Sequence, residues 1–457
     1  MPSFAFIRVS ALVAGLLAAT ANSAAAQSAT SDCNAKDKEA MSKWFPHSST
    51  MEPGNTLTSN SLCAFHVWST QMFLWLTQTD PVTGQMNLLN LHTIDELFAT
   101  EGTAKVARAD APLQLRPRTS KGNETDLGAI HQAGSDGVLV DHNGRVIYYE
   151  QLFNDNFVNF VRGKFYTGGS FDPEKLAAAT GVSDFFPSGV LEIKTSWMVV
   201  DGETSADEFL IVPAEIYLLA EQDGKIVVSD QTQSVTVALV GLHIAGTVDD
   251  HPEMIWATFE HLDNAPDLPA GVAHDSSDPV SANSFTFYTG GTAANKSNVN
   301  AADVLKLDGQ TLSPITQVFR QFTYGTPNAA IDGPVNVASI VEVNQALHAV
   351  FPPGDTDATQ HYLEIGAVWM LPNTLQPDIT PMTELRGSTM LSNSTMETFT
   401  QNDQQCFSCH NSLPQFEKVS GNLVQLPGTN FNISHALVQE YFRALAAQEG
   451  MTIKALR

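Results

Sequence analysis

Residues 235–244 read VTVALVGLHI, and both alternating sets of side chains in this run are apolar. A strand with this pattern is expected to be buried on both of its faces. Further strands are predicted at residues 190–200, 209–219, 225–229 and 253–262, and the connections between them are too short for crossover helices. The middle of the chain is therefore expected to form a mostly antiparallel sheet.

A second strongly apolar run lies upstream, where residues 61–77 read SLCAFHVWSTQMFLWLT. The run is apolar almost all round, which predicts a buried helix. We expect His66 within it to be a core histidine with satisfied hydrogen bonds rather than a ligand. Asn143-Gly144 predicts the turn of a hairpin. The other predicted elements are a surface loop at 101–136, helices at 154–164, after Asp172, at 313–322 and at 337–350, and a strand at 361–370.

Residues 406–410 read CFSCH, which is the C-x-x-C-H spacing of a c-type haem attachment site. Thiols at this spacing lie close enough to form thioethers with the two haem vinyl groups, and the histidine that follows becomes the proximal ligand of the iron. Zinc sites and thiol redox sites share the C-x-x-C part. The other cysteines, Cys33 and Cys63, are however remote in sequence. We therefore expect one covalent haem c, bound by Cys406, Cys409 and His410.

The chain begins with the features of a secretory signal. Arg8 precedes a short apolar run at residues 11–21, and Ala24-Ala25-Ala26 forms a small-residue cleavage site. The apolar run is too short to span a bilayer, and no apolar segment of spanning length follows it. Residues 1–26 are therefore expected to be removed, which gives a periplasmic or secreted protein without a transmembrane segment. An uncleaved membrane anchor is the alternative.

The composition is strongly acidic, with a formal net charge of −26 from 23 Lys and Arg against 49 Asp and Glu. Such a charge disfavours binding to nucleic acid and to anionic lipid surfaces. It allows a basic redox partner protein, although acidity of this kind can also serve solubility alone. Because Cys33 and Cys63 remain as one pair in an oxidising compartment, they are expected to form a disulfide.

Four runs outside and around the haem motif are similar to a known family. They are residues 138–150 (VLVDHNGRVIYYE), 187–199 (PSGVLEIKTSWMV), 240–264 (VGLHIAGTVDDHPEMIWATFEHLDN) and 393–410 (NSTMETFTQNDQQCFSCH). In these patches the chain resembles bacterial exported proteins known as cytochrome c family proteins, and the haem motif is the specific part. The resemblance implies a secreted protein with one haem and a large β-rich N-terminal domain. It implies no substrate.

The predicted fold class is α+β. Residues 27–380 are expected to form a largely antiparallel β-rich domain with peripheral helices. Residues 381–457 are expected to form a short, mainly α-helical, cytochrome c-like haem segment with helices at 394–405 and 434–448. A segment of this size cannot enclose a haem by itself. We therefore expect the large domain to cover the haem, with Trp369 and Met370 as the nearest apolar side chains in sequence.

The sixth ligand of the iron stays open at this point. Most small cytochrome c domains place a distal Met on a loop before their last helix, and no Met lies between His410 and the helix predicted at 434–448. The sixth position can also be empty or hold water. The candidate side chains are His435, Met451, Met382, Met390, Met396 and His243.

A second group of polar residues lies near the end of the apolar strand. His251, Glu260, His261 and Asp263 crowd a short stretch that is expected to lie close to His243. Histidine with carboxylates can bind a metal or transfer protons. The alternative is a hydrogen-bonded polar cluster at a sheet edge.

Three functions are compatible with these features. The first is a periplasmic c-type cytochrome that transfers single electrons. The second is a haem-dependent oxidoreductase, in which either the iron reacts in a peroxidase-like or oxygenase-like way or the haem relays electrons to a site at His243, Glu260 and His261. The third is a haem-based sensor or carrier of a small ligand. Two strong axial ligands suit electron transfer, whereas an open iron binds small molecules.

Overall fold

The computed structural model describes residues 29–44, 52–100, 113–115, 137–200, 206–325, 332–381, 383–401, 406–419 and 421–448. The predicted signal at residues 1–26 and most of the loop predicted at 101–136 lie outside these ranges.

One large sheet organises the described chain, in the order β1-β3-β6-β8-β9-β12-β13, with β7 also paired to β8 and β2 paired to β7. Its pairs are antiparallel except β2 with β7. Three small hairpins are formed by β4–β5, β10–β11 and β14–β15. The strands are β1 His92–Thr93, β2 Leu113–Leu115, β3 Tyr148–Phe153, β4 Tyr166–Thr167, β5 Ser170–Phe171, β6 Leu191–Val200, β7 Ile211–Gln222, β8 Lys225–Val248, β9 His251–His261, β10 Lys306–Asp308, β11 Thr311–Ser313, β12 Tyr362–Met370, β13 Leu385–Gly387, β14 Gln415–Val419 and β15 Asn422–Leu426.

The helices lie on both faces of this sheet. The α-helices are α1 Ala35–Met41, α2 Leu62–Thr77, α3 Ile94–Leu97, α4 Asp155–Phe165, α5 Pro173–Ala178, α6 Gly333–Ala349, α7 Cys406–Cys409 and α8 His435–Gln448. Short 3₁₀ turns are Asn87–Asn90, Ala294–Lys296, Ala302–Val304, Thr323–Gly325, Ala358–His361 and Asn430–Ile433. The described chain thus combines helices with a mostly antiparallel sheet, which confirms the α+β class.

The predicted strand series is confirmed, with one difference. The runs predicted at 225–229 and around 235–244 are parts of a single 24-residue strand, β8. Its first half pairs with β7, and its second half lies between β6 and β9. This second half is buried on both faces, as the alternation of apolar side chains predicted.

Two other predictions change. Residues 113–115, predicted as loop, form β2 and pair with β7. The helix predicted at 313–322 is wrong. There the backbone N–H groups of Thr316, Val318 and Arg320 bond to carbonyls of distant segments rather than to the preceding turn, and Pro314 removes a further donor.

The face of the sheet that is covered by α2 and α6, which we call the helical face, carries an extensive apolar core. Helices α2 and α6 pack on each other and on β12, and α2 also packs on β9. Trp197, Leu242, Ile255, Phe259 and Trp369 project from the strands into this core.

Helix α2 carries a buried, hydrogen-bonded histidine and one cysteine of a disulfide. His66 is fully buried, its Nδ1 is 2.7 Å from Glu364 Oε1 and its Nε2 is 2.9 Å from Asn336 Oδ1. It is therefore the satisfied core histidine that was expected. The Cys33–Cys63 disulfide is also confirmed, and it links the chain before α1 to the first turn of α2 with a Cα–Cα distance of 5.0 Å.

The opposite face of the sheet is covered largely by the C-terminal part of the chain. A second apolar core joins Phe153, Val368 and Met370 of the strands to Phe407 and Ile433 of the C-terminal segment. We call this side the C-terminal face. Strand alternation separates the two cores, since Trp369 belongs to the first core and its neighbours Val368 and Met370 to the second.

Candidate functional site

The Cys406–His410 motif forms one helical turn on the C-terminal face. Helix α7 spans Cys406–Cys409, and the backbone N–H of His410 donates to the carbonyl of Cys406 at 2.8 Å. Phe407 points into the core and is 1% exposed, whereas both cysteine side chains are partly exposed and neither forms a disulfide. Phe407 therefore anchors the turn in the second apolar core, and Cys406 packs against the same core.

The ring of His410 is fixed by one hydrogen bond and two ring contacts. Its Nδ1 donates to the carbonyl of Ile433 at 2.8 Å. With the proton on Nδ1, the lone pair of the neutral ring lies on Nε2, which is the arrangement that a metal-binding imidazole needs. The ring of His435 stacks on one side at 3.8 Å between centroids, and the ring of Trp256 lies at 4.2 Å.

Trp256 is the main contribution of the sheet to this turn. It lies on β9 and contacts both His410 and Phe407, whose ring centroid is 6.3 Å away. Its indole N–H donates to the backbone carbonyl of Glu253 at 3.0 Å, which fixes the orientation of the ring. Of the two side chains predicted to cover the haem motif, Met370 shares the core of Phe407, but Trp369 points to the opposite face.

The segment before the motif lies across the sheet without forming the predicted helix. Residues 394–401 are turns, so the helix prediction at 394–405 is wrong over these residues, and residues 402–405 lie outside the described chain. The local side chains bond to strands instead. Asn393 donates to Thr258 Oγ1 at 2.9 Å, and the hydroxyls of Thr395 and Ser196 are 2.7 Å apart.

A glycine in the sheet makes this close approach feasible. A Cβ atom on Gly241 would lie 2.3 Å from Thr395 Oγ1 and 2.7 Å from Ser196 Oγ. Any side chain there would therefore push residues 393–395 away from β8.

His243 belongs to the same side of the sheet as the motif, but its contacts are those of an ion pair. Its Nε2 is 3.0 Å from Glu397 Oε1, and the two side chains are 23% and 22% exposed. Lys194 and Thr258 are its neighbours on β6 and β9. Glu397, the acid of this half-buried pair, belongs to the segment that leads to the haem motif.

The structure separates the other residues of the predicted polar cluster. Glu260 faces the C-terminal segment, where it accepts from Ser394 and from Arg320 Nη1 at 3.1 Å. His261 faces the other way and stacks on Phe209 at 3.8 Å. Adjacent residues of a strand point to opposite faces, so a joint site of His243, Glu260 and His261 does not form.

Burial determines the protonation state of His261. His261 Nε2 donates to the carbonyl of Glu208 at 2.9 Å, and its Nδ1 accepts from the N–H of Asp263 at 3.2 Å. Burial in this apolar setting lowers the pKa of His261 to about 3. His251 forms a separate pair with the buried carboxylate of Glu253, at 2.8 Å.

The candidates for the sixth ligand occupy different places. His435 stacks face to face on His410. Ligands on opposite sides of a metal need nitrogens about 4 Å apart, from two bonds of about 2 Å each, and ring centres farther apart still. The centroids of the His410 and His435 rings are only 3.8 Å apart, so the two rings pack on each other. Met396 is fully buried in a third core with Leu139 and Val240, and Met390 lies beside Gly325. Met382 and Met451 lie outside the described residues.

The Cys406 thiol lies in a buried setting near negative charge. Burial, together with the charges of Glu397 and Cys409, raises the pKa of Cys406 to about 12. Such a thiol is protonated at neutral pH. Within the described ranges, no three His, Cys, Asp or Glu side chains are grouped as metal ligands. Two thiols and one imidazole with its lone pair on Nε2 do fit a haem c.

The comparisons with known proteins found no matching family model, no matching curated protein and no matching solved structure. In the described part of the chain, no helix has both the length and the apolar character that a bilayer crossing requires.

Several residues of the site were missed by the sequence analysis. The alternation of β9 already placed Trp256 opposite Ile255 and Phe259, so its side of the sheet was predictable, but its contact with His410 was not. Glu397 had a weak signal, as a single carboxylate in a hydroxyl-rich run. The carbonyl of Ile433 had none, because a backbone acceptor has no sequence signature.

Proposed function

We propose that the protein is an exported c-type cytochrome with one haem, attached through Cys406 and Cys409 and bound at the iron by His410, and that it transfers single electrons. The observation that carries the proposal is the Cys406–His410 turn, in which the Nδ1 proton of His410 is bonded to Ile433 and its lone pair lies on Nε2. The haem supplies reversible one-electron chemistry when bound. The resemblance to the cytochrome c family points the same way.

The chain's own residues would orient the His410 ring and exclude water from it. The rings of Trp256 and His435 contact the His410 ring, at 4.2 Å and 3.8 Å between centroids. Burial of an axial ligand by aromatic side chains lowers the local dielectric and limits solvent access, which are two of the means by which a protein sets a reduction potential. The Cys33–Cys63 disulfide is compatible with a periplasmic or extracellular location. The net charge of −26 suits a basic redox partner.

A second candidate function is supported by a specific contact. The His243–Glu397 pair is partly exposed, and Glu397 belongs to the segment that leads to Cys406. Electron transfer does not need an acid and base there, whereas a haem-dependent oxidoreductase does. In that case His243 and Glu397 replace the predicted set of His243, Glu260 and His261.

The absorption spectrum of the full-length protein, produced in a host with haem-attachment machinery, separates the two functions. Electron transfer predicts a six-coordinate low-spin haem, a one-electron reversible titration and no binding of carbon monoxide by the reduced protein. A high-spin spectrum with carbon monoxide binding would favour the oxidoreductase. His410→Ala should abolish the native spectrum, and His274→Ala, at an exposed histidine outside the site, should leave it unchanged.

A further inference from the structure

We propose that Glu192 and Ser434 together act as positioning residues for His410, an inference that rests on the proposed haem function. Glu192 lies on β6, is 6% exposed and faces the C-terminal segment. The hydroxyl of Ser434 donates to Glu192 Oε2 at 2.7 Å, and the side-chain amide of Gln151 donates to the other carboxylate oxygen. A buried carboxylate held by two donors is a fixed point in the sheet.

Ser434 is the middle residue of the segment that holds the His410 ring. The residue before it, Ile433, accepts the Nδ1 proton of His410 at 2.8 Å. The residue after it, His435, stacks on the ring at 3.8 Å and donates from Nε2 to the carbonyl of Cys409 at 3.1 Å. Fixing Ser434 to Glu192 therefore fixes both contacts at once.

The local backbone does not fix this segment relative to the sheet by itself. Ser434 connects the 3₁₀ turn Asn430–Ile433 to α8, and its own backbone bonds stay within these two elements, to Phe431, Leu437 and Val438. The Ser434 side chain is the link from the turn to β6, where Glu192 lies in register with Ala245 and, through it, with Trp256. The Trp256 contact and the Ser434 bond are therefore both anchored in the paired strands β6, β8 and β9.

The expected consequence concerns the electron donation of the ligand. A hydrogen bond from Nδ1–H to a carbonyl raises the basicity of a metal-bound imidazole and stabilises the oxidised iron. If residues 433–435 move away from His410, this bond lengthens, and the reduced iron becomes relatively more stable. Loss of the Ser434 hydroxyl should therefore raise the reduction potential.

The test uses the full-length, haem-loaded protein and measures the midpoint potential and the electron paramagnetic resonance spectrum. Ser434→Ala should raise the equilibrium constant for reduction about tenfold, which for one electron is about 59 mV, and should broaden or shift the low-spin signal. Ser434→Thr keeps the hydroxyl and should restore both readouts. Ser276→Ala is the matched control, because the Ser276 hydroxyl also donates to a carboxylate, Asp278 Oδ2 at 2.9 Å, but in the loop after β9.

The outcomes separate this inference from the function on which it rests. Wild-type protein without covalent haem overturns both. If haem is retained but the potential of Ser434→Ala equals that of wild type, or if Ser276→Ala shifts the potential as much, the positioning role alone is overturned. Where Ser434→Ala does not fold, Glu192→Asp supplies the second test, because a carboxylate one methylene shorter should retreat from Ser434 and shift the potential in the same direction. A midpoint potential of Glu192→Asp equal to that of wild type would contradict the proposal.

Discussion

The helical face of the sheet and its C-terminal face are covered by different means. On the helical face, α2 and α6 bury aromatic and aliphatic side chains, and the bonds of His66, Thr70 and Asn344 to Glu364 all go to one strand, β12. On the C-terminal face an apolar core is accompanied by a set of direct polar bonds from strands to the covering segment. They run from Ser196 to Thr395, from Glu192 to Ser434, from His243 to Glu397, from Thr258 to Asn393 and from Glu260 to Ser394.

The difference has a physical reason. Apolar contact is non-directional, so it stabilises a fold without fixing the exact position of one element on another. Hydrogen bonds to buried carboxylates depend on distance and angle, and leaving such a group unpaired is costly. We infer that the helical face mainly supplies stability, and that the C-terminal face holds His410 and the two cysteines in a defined place.

The largest expected effect is on the helical face. Trp369 is 2% exposed and stacks on Phe65 at 4.0 Å between centroids, so Trp369→Ala should lower the free energy of unfolding by about 3–5 kcal/mol. The haem spectrum of the folded protein should stay unchanged. Trp256→Ala, on the other face, should change the spectrum and cost less stability, because Trp256 is partly exposed. Denaturant titrations and absorption spectra of both variants check this. Identical spectral changes in the two would remove the distinction between the faces.

A smaller effect is expected where the C-terminal segment is bonded to the sheet. Ser394 donates its backbone N–H and its hydroxyl to the buried carboxylate of Glu260. Ser394→Ala should lower the free energy of unfolding by about 1.5–3 kcal/mol, the range for hydrogen bonds to charged groups. Thr383→Ala removes an exposed hydroxyl–carboxylate bond, to Glu384, and should cost less than about 0.5 kcal/mol. Equal losses of unfolding free energy in the two variants would show that the buried bonds stabilise the fold no more than the exposed one does.

The smallest predicted effect is a pH dependence from the helical side. Burial lowers the pKa of His261 to about 3, so between about pH 6.5 and pH 3 the unfolded chain binds a proton there and the folded chain does not. The stabilising contribution is complete above pH 6.5 and is lost as the pH falls. Relative to His261→Gln, wild type should lose about 1.4 kcal/mol of unfolding free energy per pH unit between pH 5.5 and 4.5. Parallel stability curves would contradict the buried neutral ring.

Periodicity predicted the scaffold well and the site only in part. The strands β6, β8, β9 and β12 and the helix α2 follow from alternating or all-round apolar patterns, since these depend on neighbours in sequence. The helix predicted at 394–405 failed over its described residues because Ser394 and Thr395 use their side chains and backbone to bond strands that are remote in sequence. No local pattern contains that information.

The same limit applies to the polar residues of the site. The sequence grouped His243, Glu260 and His261 by proximity along the chain, and the alternation of β9 sends the last two to opposite faces. It paired Cys33 with Cys63 correctly, because elimination left one pair. The partners of His410 depend instead on how the segment 430–435 folds back on α7, which is a tertiary contact.

The measurement that tests the account most directly is whether haem stays bound to the denatured chain. Full-length protein from a host with haem-attachment machinery should keep its haem on a denaturing gel and show the mass of one haem added to a peptide containing Cys406 and Cys409. Cys406→Ala with Cys409→Ala should lose it, and Cys33→Ser with Cys63→Ser should retain it. If haem extracts from the wild type into acidified organic solvent, or if no haem is bound at all, the assignment of a c-type cytochrome is contradicted.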